Sequence, residues 1–153
     1  MAVSPPLSAL IDTLPEGMVV TDPDVLGGYR QDRALDPQAG IPLALVRPTS
    51  TEQVQAIVRW CAERGVKLTT RGAGTGLSGG STAVDGALML STERMRSLTI
   101  DPTTRTATTQ PGLLNAEVKA AAAEHGLWYP PDPSSFEICS IGGNIATNAG
   151  GLC

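Results

Sequence analysis

Residues 71–80 read Arg71-Gly72-Ala73-Gly74-Thr75-Gly76-Leu77-Ser78-Gly79-Gly80, with five glycines in ten positions. The run follows Val66, Leu68 and Thr70, which alternate along the chain as the residues of a strand do. Glycine has no Cβ, so such a run takes positive φ angles and lays successive backbone N–H groups against an oxygen-rich anion. It predicts a loop that holds a nucleotide. A plain flexible turn is the competing reading.

Two well-known phosphate motifs fit the run poorly. Gly74 with four residues to Gly79 is followed by Gly80-Ser81, without the lysine with which a Walker loop reaches terminal phosphates. Gly74-x-Gly76-x-x-Gly79 matches the dinucleotide fingerprint literally, but that fingerprint opens a helix facing the pyrophosphate. Gly80-Ser81-Thr82-Ala83-Val84-Asp85-Gly86 has no apolar period and a further glycine, so that helix is missing.

Outward from the run, the pattern upstream is regular. Leu43 to Val46 is an apolar run ended by Pro48, and Ser50 with Gln53 forms a capping box that opens a helix. The spacing predicts Val54, Ile57, Val58 and Cys61 as its buried face and Gly65 as its stop. The glycine run therefore begins at the carboxyl end of a β-α-β unit, the end at which open α/β sheets bind ligands. Downstream, a strand is predicted over Ala87 to Leu90, and a hairpin pairs Leu98 to Asp101 with Arg105 to Gln110, turned at Asp101-Pro102. A second helix carries Leu114, Val118, Ala121, Ala122 and His125 on one face and stops at Gly126. The final segment, from Tyr129-Pro130-Pro131-Asp132 to Gly150-Gly151, reads as loop, with a short helix capped by Gly142-Gly143 and Gly150-Gly151 as the alternative. Residues 1–40, with one amphipathic stretch from Leu7 to Leu14 and then Asp, Pro and Gly punctuation, read as an arm over a domain at 41–153.

Composition narrows the function classes. The 153 residues are 41% hydrophobic, enough for a core, and carry a net charge of −4. That sign argues against a nucleic-acid partner. Cys61, Cys139 and Cys153 are an odd set without CxxC spacing, so neither a disulfide scaffold nor a metal site is predicted. Met1-Ala2-Val3-Ser4-Pro5-Pro6 has no basic start, and no apolar run approaches the roughly 20 residues of a membrane span, so a cytoplasmic protein is expected.

Four segments in order carry a family resemblance. They are Arg71 to Gly80; Gln110-Pro111-Gly112; Pro130-Pro131-Asp132-Pro133-Ser134-Ser135; and Ile141-Gly142-Gly143-Asn144-Ile145-Ala146-Thr147-Asn148-Ala149-Gly150-Gly151. Over roughly residues 40 to 153 the chain resembles the FAD-binding domain of the PCMH-type, or vanillyl-alcohol oxidase, flavoproteins. It is most similar to the D-2-hydroxyacid dehydrogenase branch, which includes the glycolate oxidase D subunit, D-lactate dehydrogenase and D-2-hydroxyglutarate dehydrogenase. The resemblance implies an α+β fold, the N-terminal part of a PCMH-type FAD-binding domain. A β-α-β subdomain is followed by further strands and a helix, and loops rather than a Rossmann helix grip the cofactor.

Carried over residue by residue, the resemblance makes Arg71, Gly72, Ala73, Gly74, Thr75, Gly76, Leu77, Ser78 and Gly79 the cradle of the FAD pyrophosphate. Pro111, Gly112, Pro131, Asp132, Pro133, Ser134, Ser135, Gly142, Gly143, Asn144 and Thr147 would line the rest of the cofactor. Small residues permit close approach to a flat ring, and Ser, Thr and Asn offer neutral donors and acceptors. Some relatives tether FAD through a histidine where this chain has Thr75, so FAD is expected to be bound non-covalently.

The sequence stops at Leu152-Cys153, just after the Asn-Ala-Gly-Gly motif, where the family continues into a substrate domain. A truncated chain is expected on that ground. A small 2-hydroxy acid would be its substrate only with the remainder supplied, and no catalytic residue is assigned; the alternative is an inactive remnant.

Other residues have plainer readings. His125 suits a helix end, Cys61 a core, Glu52, Glu63 and Arg64 a solvated helix face, and Trp60, Trp128 and Tyr129 packing. Tyr29 and Asp32, spaced Tyr-x-x-Asp, resemble a loop near the active site of the family.

Overall fold

The computed structural model describes residues 7–152. Met1 to Pro6 and Cys153 lie outside them. The elements run α1 (Ser8–Thr13), β1 (Val19–Val20), α2 (Pro23–Gly27), β2 (Ala44–Val46), α3 (Thr51–Arg64), β3 (Leu68–Arg71), β4 (Leu88–Ser91), β5 (Leu98–Asp101), β6 (Thr106–Thr109), α4 (Asn115–Glu124) and α5 (Ile141–Thr147).

A four-stranded sheet has the order β1-β2-β4-β3. β2, β4 and β3 are parallel, with Ala44 and Leu68 both in register with Leu88, while β1 joins antiparallel at Val19 opposite Val46. β2 and β4 are buried throughout, as parallel strands covered on both faces must be. Their side chains divide by parity. Ala44, Val46, Leu88 and Leu90 pack with Leu10, Leu14, Met18 and Ile57, whereas Leu45 and Met89 pack with Leu26 and Ala83.

Helix α3 joins β2 to β3. Its Ser50 N-cap accepts from the Gln53 N–H at 3.4 Å while Gln53 Oε1 accepts from Ser50 N–H at 3.3 Å, so two donors left free by the helix start are satisfied reciprocally. Gly65, at φ +63°, ends it in the left-handed region. Ile57, Trp60 and Cys61 are its buried residues. Val58, expected inside, is 45% exposed, because the sheet edge ends at β3 and leaves that flank of α3 uncovered; Trp60 takes the core position.

The connection from β3 to β4 is the segment that matters for function. Two adjacent parallel strands need a long crossover, usually helical. Here it is irregular chain from Gly72 to Ala87 that returns under the sheet through Ala83. Beyond β4, β5 and β6 form a separate antiparallel ribbon, Leu98 opposite Thr109, whose turn is held by Asp101 Oδ1 accepting from the N–H groups of Thr103 and Thr104. Leu113, Val118 and Ile141 make a third apolar cluster that joins α4 to α5.

Three sequence expectations are corrected. Val19 and Val20 form a strand too short for a pattern to reveal. His125 is the exposed C-cap of α4 and not part of its buried face. The final segment is not loop throughout: Ile141 to Thr147 is helical, with Ser140 Oγ accepting from Gly143 N–H at 3.3 Å as its cap.

Candidate functional site

The glycine loop leaves the sheet at the carboxyl end of β3. Among the described residues, no backbone N–H from Gly72 to Gly80 donates to a protein acceptor, and the hydroxyls of Thr75 and Ser78 make no side-chain hydrogen bond. Gly74 and Gly79 have φ of +69° and +76°. Ala73, Leu77 and Ser78 are exposed, Leu77 at 78%. Unpaired N–H donors along a loop with two left-handed glycines can face an anion together. Gly76 has no positive φ, and a Cβ there would stand 3.8 Å from Asp32 Oδ2, an ordinary contact.

Arg71 begins the run, and its side chain passes over Gly74 to reach the segment at residues 29–31. Nη1 donates to the Gln31 carbonyl at 2.9 Å and to that of Tyr29 at 3.5 Å, and the guanidinium lies 5.6 Å from the centroid of the Tyr29 ring. Burial pulls its pKa down from the ordinary arginine value, while the carboxylate of Asp32 is the largest force holding it up. Tyr29 in turn donates to Glu93 Oε2 at 2.8 Å. Burial first, and the Glu93 bond second, raise the Tyr29 pKa.

The other predicted segments gather around α5. A Cβ on Gly72 would strike Ser140 Oγ and lie 3.6 Å from Gly143 N. Gly142 donates to the Pro111 carbonyl at 2.9 Å, and Gly112 donates to that of Met95 at 2.8 Å. Asp132 N–H donates to Gly150 O at 2.8 Å, and Asn115 Nδ2 to Pro131 O at 3.3 Å. The glycine loop, Pro111-Gly112 and Gly142-Gly143 thus meet in one patch, and Pro131 to Pro133 lie against Asn115 and Gly150. Asn144, 7% exposed, keeps its Nδ2 without a partner in that patch.

Not every predicted residue offers a free group. The carboxylate of Asp132 is paired with Lys119, whose ammonium also sits 4.7 Å over the Phe136 ring. Thr147 Oγ1 donates to Gly143 O at 2.8 Å, closing a turn of α5. Pro133 is buried, while Ser134 is exposed and Ser135 accepts from Cys139 N–H at 2.8 Å. Sequence reasoning underused Asp32, which is 3% exposed beneath the loop. Its signal was the Tyr-x-x-Asp spacing alone. Among the described residues, no three His, Cys, Asp or Glu side chains come together as a metal site, and no helix is long and apolar enough to cross a membrane.

The residues fit a dinucleotide's phosphates on two observations: the unpaired N–H run, and the small residues that allow chain segments to meet without side chains between them. Comparison with known proteins shows the family. The sequence model of the FAD binding domain matches residues 42–153. D-2-hydroxyglutarate dehydrogenase of Xanthomonas citri is 43% identical over 151 residues, covering 97% of this chain and 31% of the relative. Glycolate oxidase subunit GlcD of Escherichia coli is 48% identical over 112 residues, covering 72% of this chain and 22% of the relative. Among solved structures, alkyldihydroxyacetonephosphate synthase superposes with a TM-score of 0.83 at 21% identity, over 95% of this chain and 30% of that one. For p-cresol methylhydroxylase the TM-score is 0.77 at 25% identity, over 91% and 28%. The chain spans less than a third of the length of each of these. With the α+β architecture, the converging glycine-rich segments and a family match over most of its length, the chain belongs to the FAD binding domain family of PCMH-type flavoproteins, in the group of FAD-linked oxidoreductases related to glycolate oxidase and the D-lactate and D-2-hydroxyglutarate dehydrogenases.

Proposed function

We propose that this chain holds FAD non-covalently, in the cytoplasm, as the cofactor-binding part of an enzyme that oxidises a small D-2-hydroxy acid. The observation that carries the reading is the run of backbone donors from Gly72 to Gly80 with no protein acceptor. These N–H groups take the pyrophosphate oxygens, and the hydroxyls of Thr75 and Ser78 add neutral donors. Pro111, Gly112, Gly142, Gly143 and Asn144, already packed on one another, line the next part of the cofactor, with Pro131 to Ser135 beside them. When bound, FAD supplies the two-electron acceptor, and the protein's part is to place and orient it. Thr75 has no nucleophile suited to a tether at the point where some relatives carry histidine, which supports a non-covalent cofactor. The substrate class rests on the names of the relatives, D-2-hydroxyglutarate dehydrogenase, glycolate oxidase and D-lactate dehydrogenase.

The test is to saturate the purified chain with FAD, remove excess, and denature it in acid. Release of FAD into the supernatant is expected. Flavin retained in the pellet overturns the non-covalent reading, and a chain that takes up no FAD overturns the assignment of the loop. The same preparation is expected to reduce no dye with D-lactate, glycolate or D-2-hydroxyglutarate, because abstraction of the hydroxyl proton needs a positioned base, and His125 is exposed at a helix end. FAD-dependent turnover would place a substrate site on this chain.

A further inference from the structure

Both ends of the glycine loop are tied to one short segment, residues 29–32. At the leading end, Arg71 donates to the carbonyls of Tyr29 and Gln31, and its guanidinium lies so close over Gly74 that a Cβ there would be 3.0 Å from Nε. At the trailing end, Asp32 accepts from Ser81 N–H, Ser81 Oγ and Thr82 Oγ1, each at 3.4 Å, and Ala83 N–H donates to Arg30 O at 2.8 Å. Asp32 Oδ1 also accepts from Ala34 N–H at 2.9 Å, which fixes its own rotamer. Between these two anchors the loop makes no backbone hydrogen bond as a donor.

A glycine-rich loop whose N–H groups bond to no protein acceptor samples many shapes, and ordering it on a ligand costs conformational entropy. Anchoring both ends on a common support removes part of that cost before the ligand arrives, which is how preorganisation raises affinity. A carboxylate buried to 3% exposure adds nothing to apolar packing and costs desolvation. Its partners here are the two residues that follow the glycine run, Ser81 and Thr82. The contacts from Ser81 and Thr82, with the shorter bond from Ala34 N–H, offset part of that burial.

We propose that Asp32 and Arg71 are positioning residues, a clip that holds the Gly72–Gly80 loop in its anion-receiving shape in the absence of ligand. Neither touches the anion. Both act through the backbone of the loop, and the inference rests on the FAD reading for the identity of that anion. Tyr29 supports the clip from below by carrying the Arg71 guanidinium on its ring.

The experiment measures two quantities on the full chain: backbone order of the Gly72–Gly80 amides by nitrogen-15 relaxation without ligand, and FAD affinity by fluorescence quenching. Asp32→Ala is expected to lower order across Gly72–Gly80 while β2, β3 and β4 keep theirs, and to weaken FAD about tenfold. Asp32→Asn, which keeps one acceptor, is expected to fall between Asp32→Ala and the wild type in both readouts. If Asp32→Ala does not fold, the half-exposed pair Ser81→Ala with Thr82→Val removes the loop's side-chain half of the clip and should give the same two changes. Unchanged loop order, or an unchanged FAD dissociation constant in a folded variant, overturns the clip. Lost loop order in a chain whose wild type binds no FAD supports the clip and overturns the FAD reading instead.

Discussion

Gly142 and Pro111 are packed backbone to backbone: the Gly142 N–H donates to Pro111 O at 2.9 Å, and a Cβ on Gly142 would stand 2.6 Å from Pro111 Cβ and 3.1 Å from that oxygen. Two of the four family segments meet here without room for a methyl group. Gly142→Ala should therefore destabilise the chain by about 1–3 kcal/mol as the two backbones are forced apart. That outweighs the gain of about 1 kcal/mol that alanine brings to a helix. Urea unfolding measures it, and a midpoint at or above that of the wild type would show that the contact gives way freely.

Gly74 and Gly76 make a matched pair. Gly74 sits at φ +69° with the Arg71 guanidinium where its Cβ would go, so Gly74→Val should lower stability by about 1–2 kcal/mol or more. Gly76 has neither constraint, so Gly76→Val should leave the unfolding midpoint nearly unchanged while weakening FAD by denying the ligand close approach to the backbone. Equal FAD dissociation constants for wild type and Gly76→Val would make the middle of the loop an ordinary turn.

Ser50 and Gln53 tie the start of α3 to itself, and neither side chain bonds to a residue of the cofactor patch. Ser50→Ala removes the side-chain acceptor of the Gln53 N–H and should cost about 1 kcal/mol. FAD affinity should stay at the wild-type value. Loss of binding in a folded Ser50→Ala protein would show that α3 and the loop are coupled.

Stability should fall on the alkaline side. Burial raises Cys61 above its ordinary 9.0, and burial leads the causes that raise Tyr29 and Tyr129 above 10.0. Above these ordinary values the unfolded chain has lost protons that the folded chain still holds, so fewer protons are bound in the unfolded state and unfolding becomes easier as pH rises. The contribution is complete below pH 9.0 and is lost as pH climbs through the raised values. Thermal midpoints between about pH 8 and 10.5 should decline, with a shallower slope in Cys61→Ala. A flat profile would mean that Cys61 ionises as freely in the folded chain as in the unfolded one.

What could be read in advance was local. The Ser50 and Gln53 box and the left-handed stop at Gly65 are bonds within a few residues, so the order of residue types specifies them whatever the rest of the chain does. The parity of Ala44, Leu45 and Val46, or of Leu88, Met89 and Leu90, becomes informative only when both faces are seen covered. In the sequence they are simply apolar runs.

The sequence by itself determined the glycine loop, its place after a strand, the capped helix before it and the order of the four family motifs. Tertiary structure decided what those motifs do to one another. The sequence left helix α5 open because Gly142 and Gly143 are poor helix formers, and Gly142 stands there since Pro111 comes too close for anything larger. Strand β4 takes the central position between β2 and β3, and that insertion sends the chain from Gly72 to Ala87 back beneath the sheet. There it meets Asp32 and Arg30, some fifty residues earlier in the chain. Contacts across such separations are fixed by closing long loops over a shared core, a free energy that no local pattern of residues records.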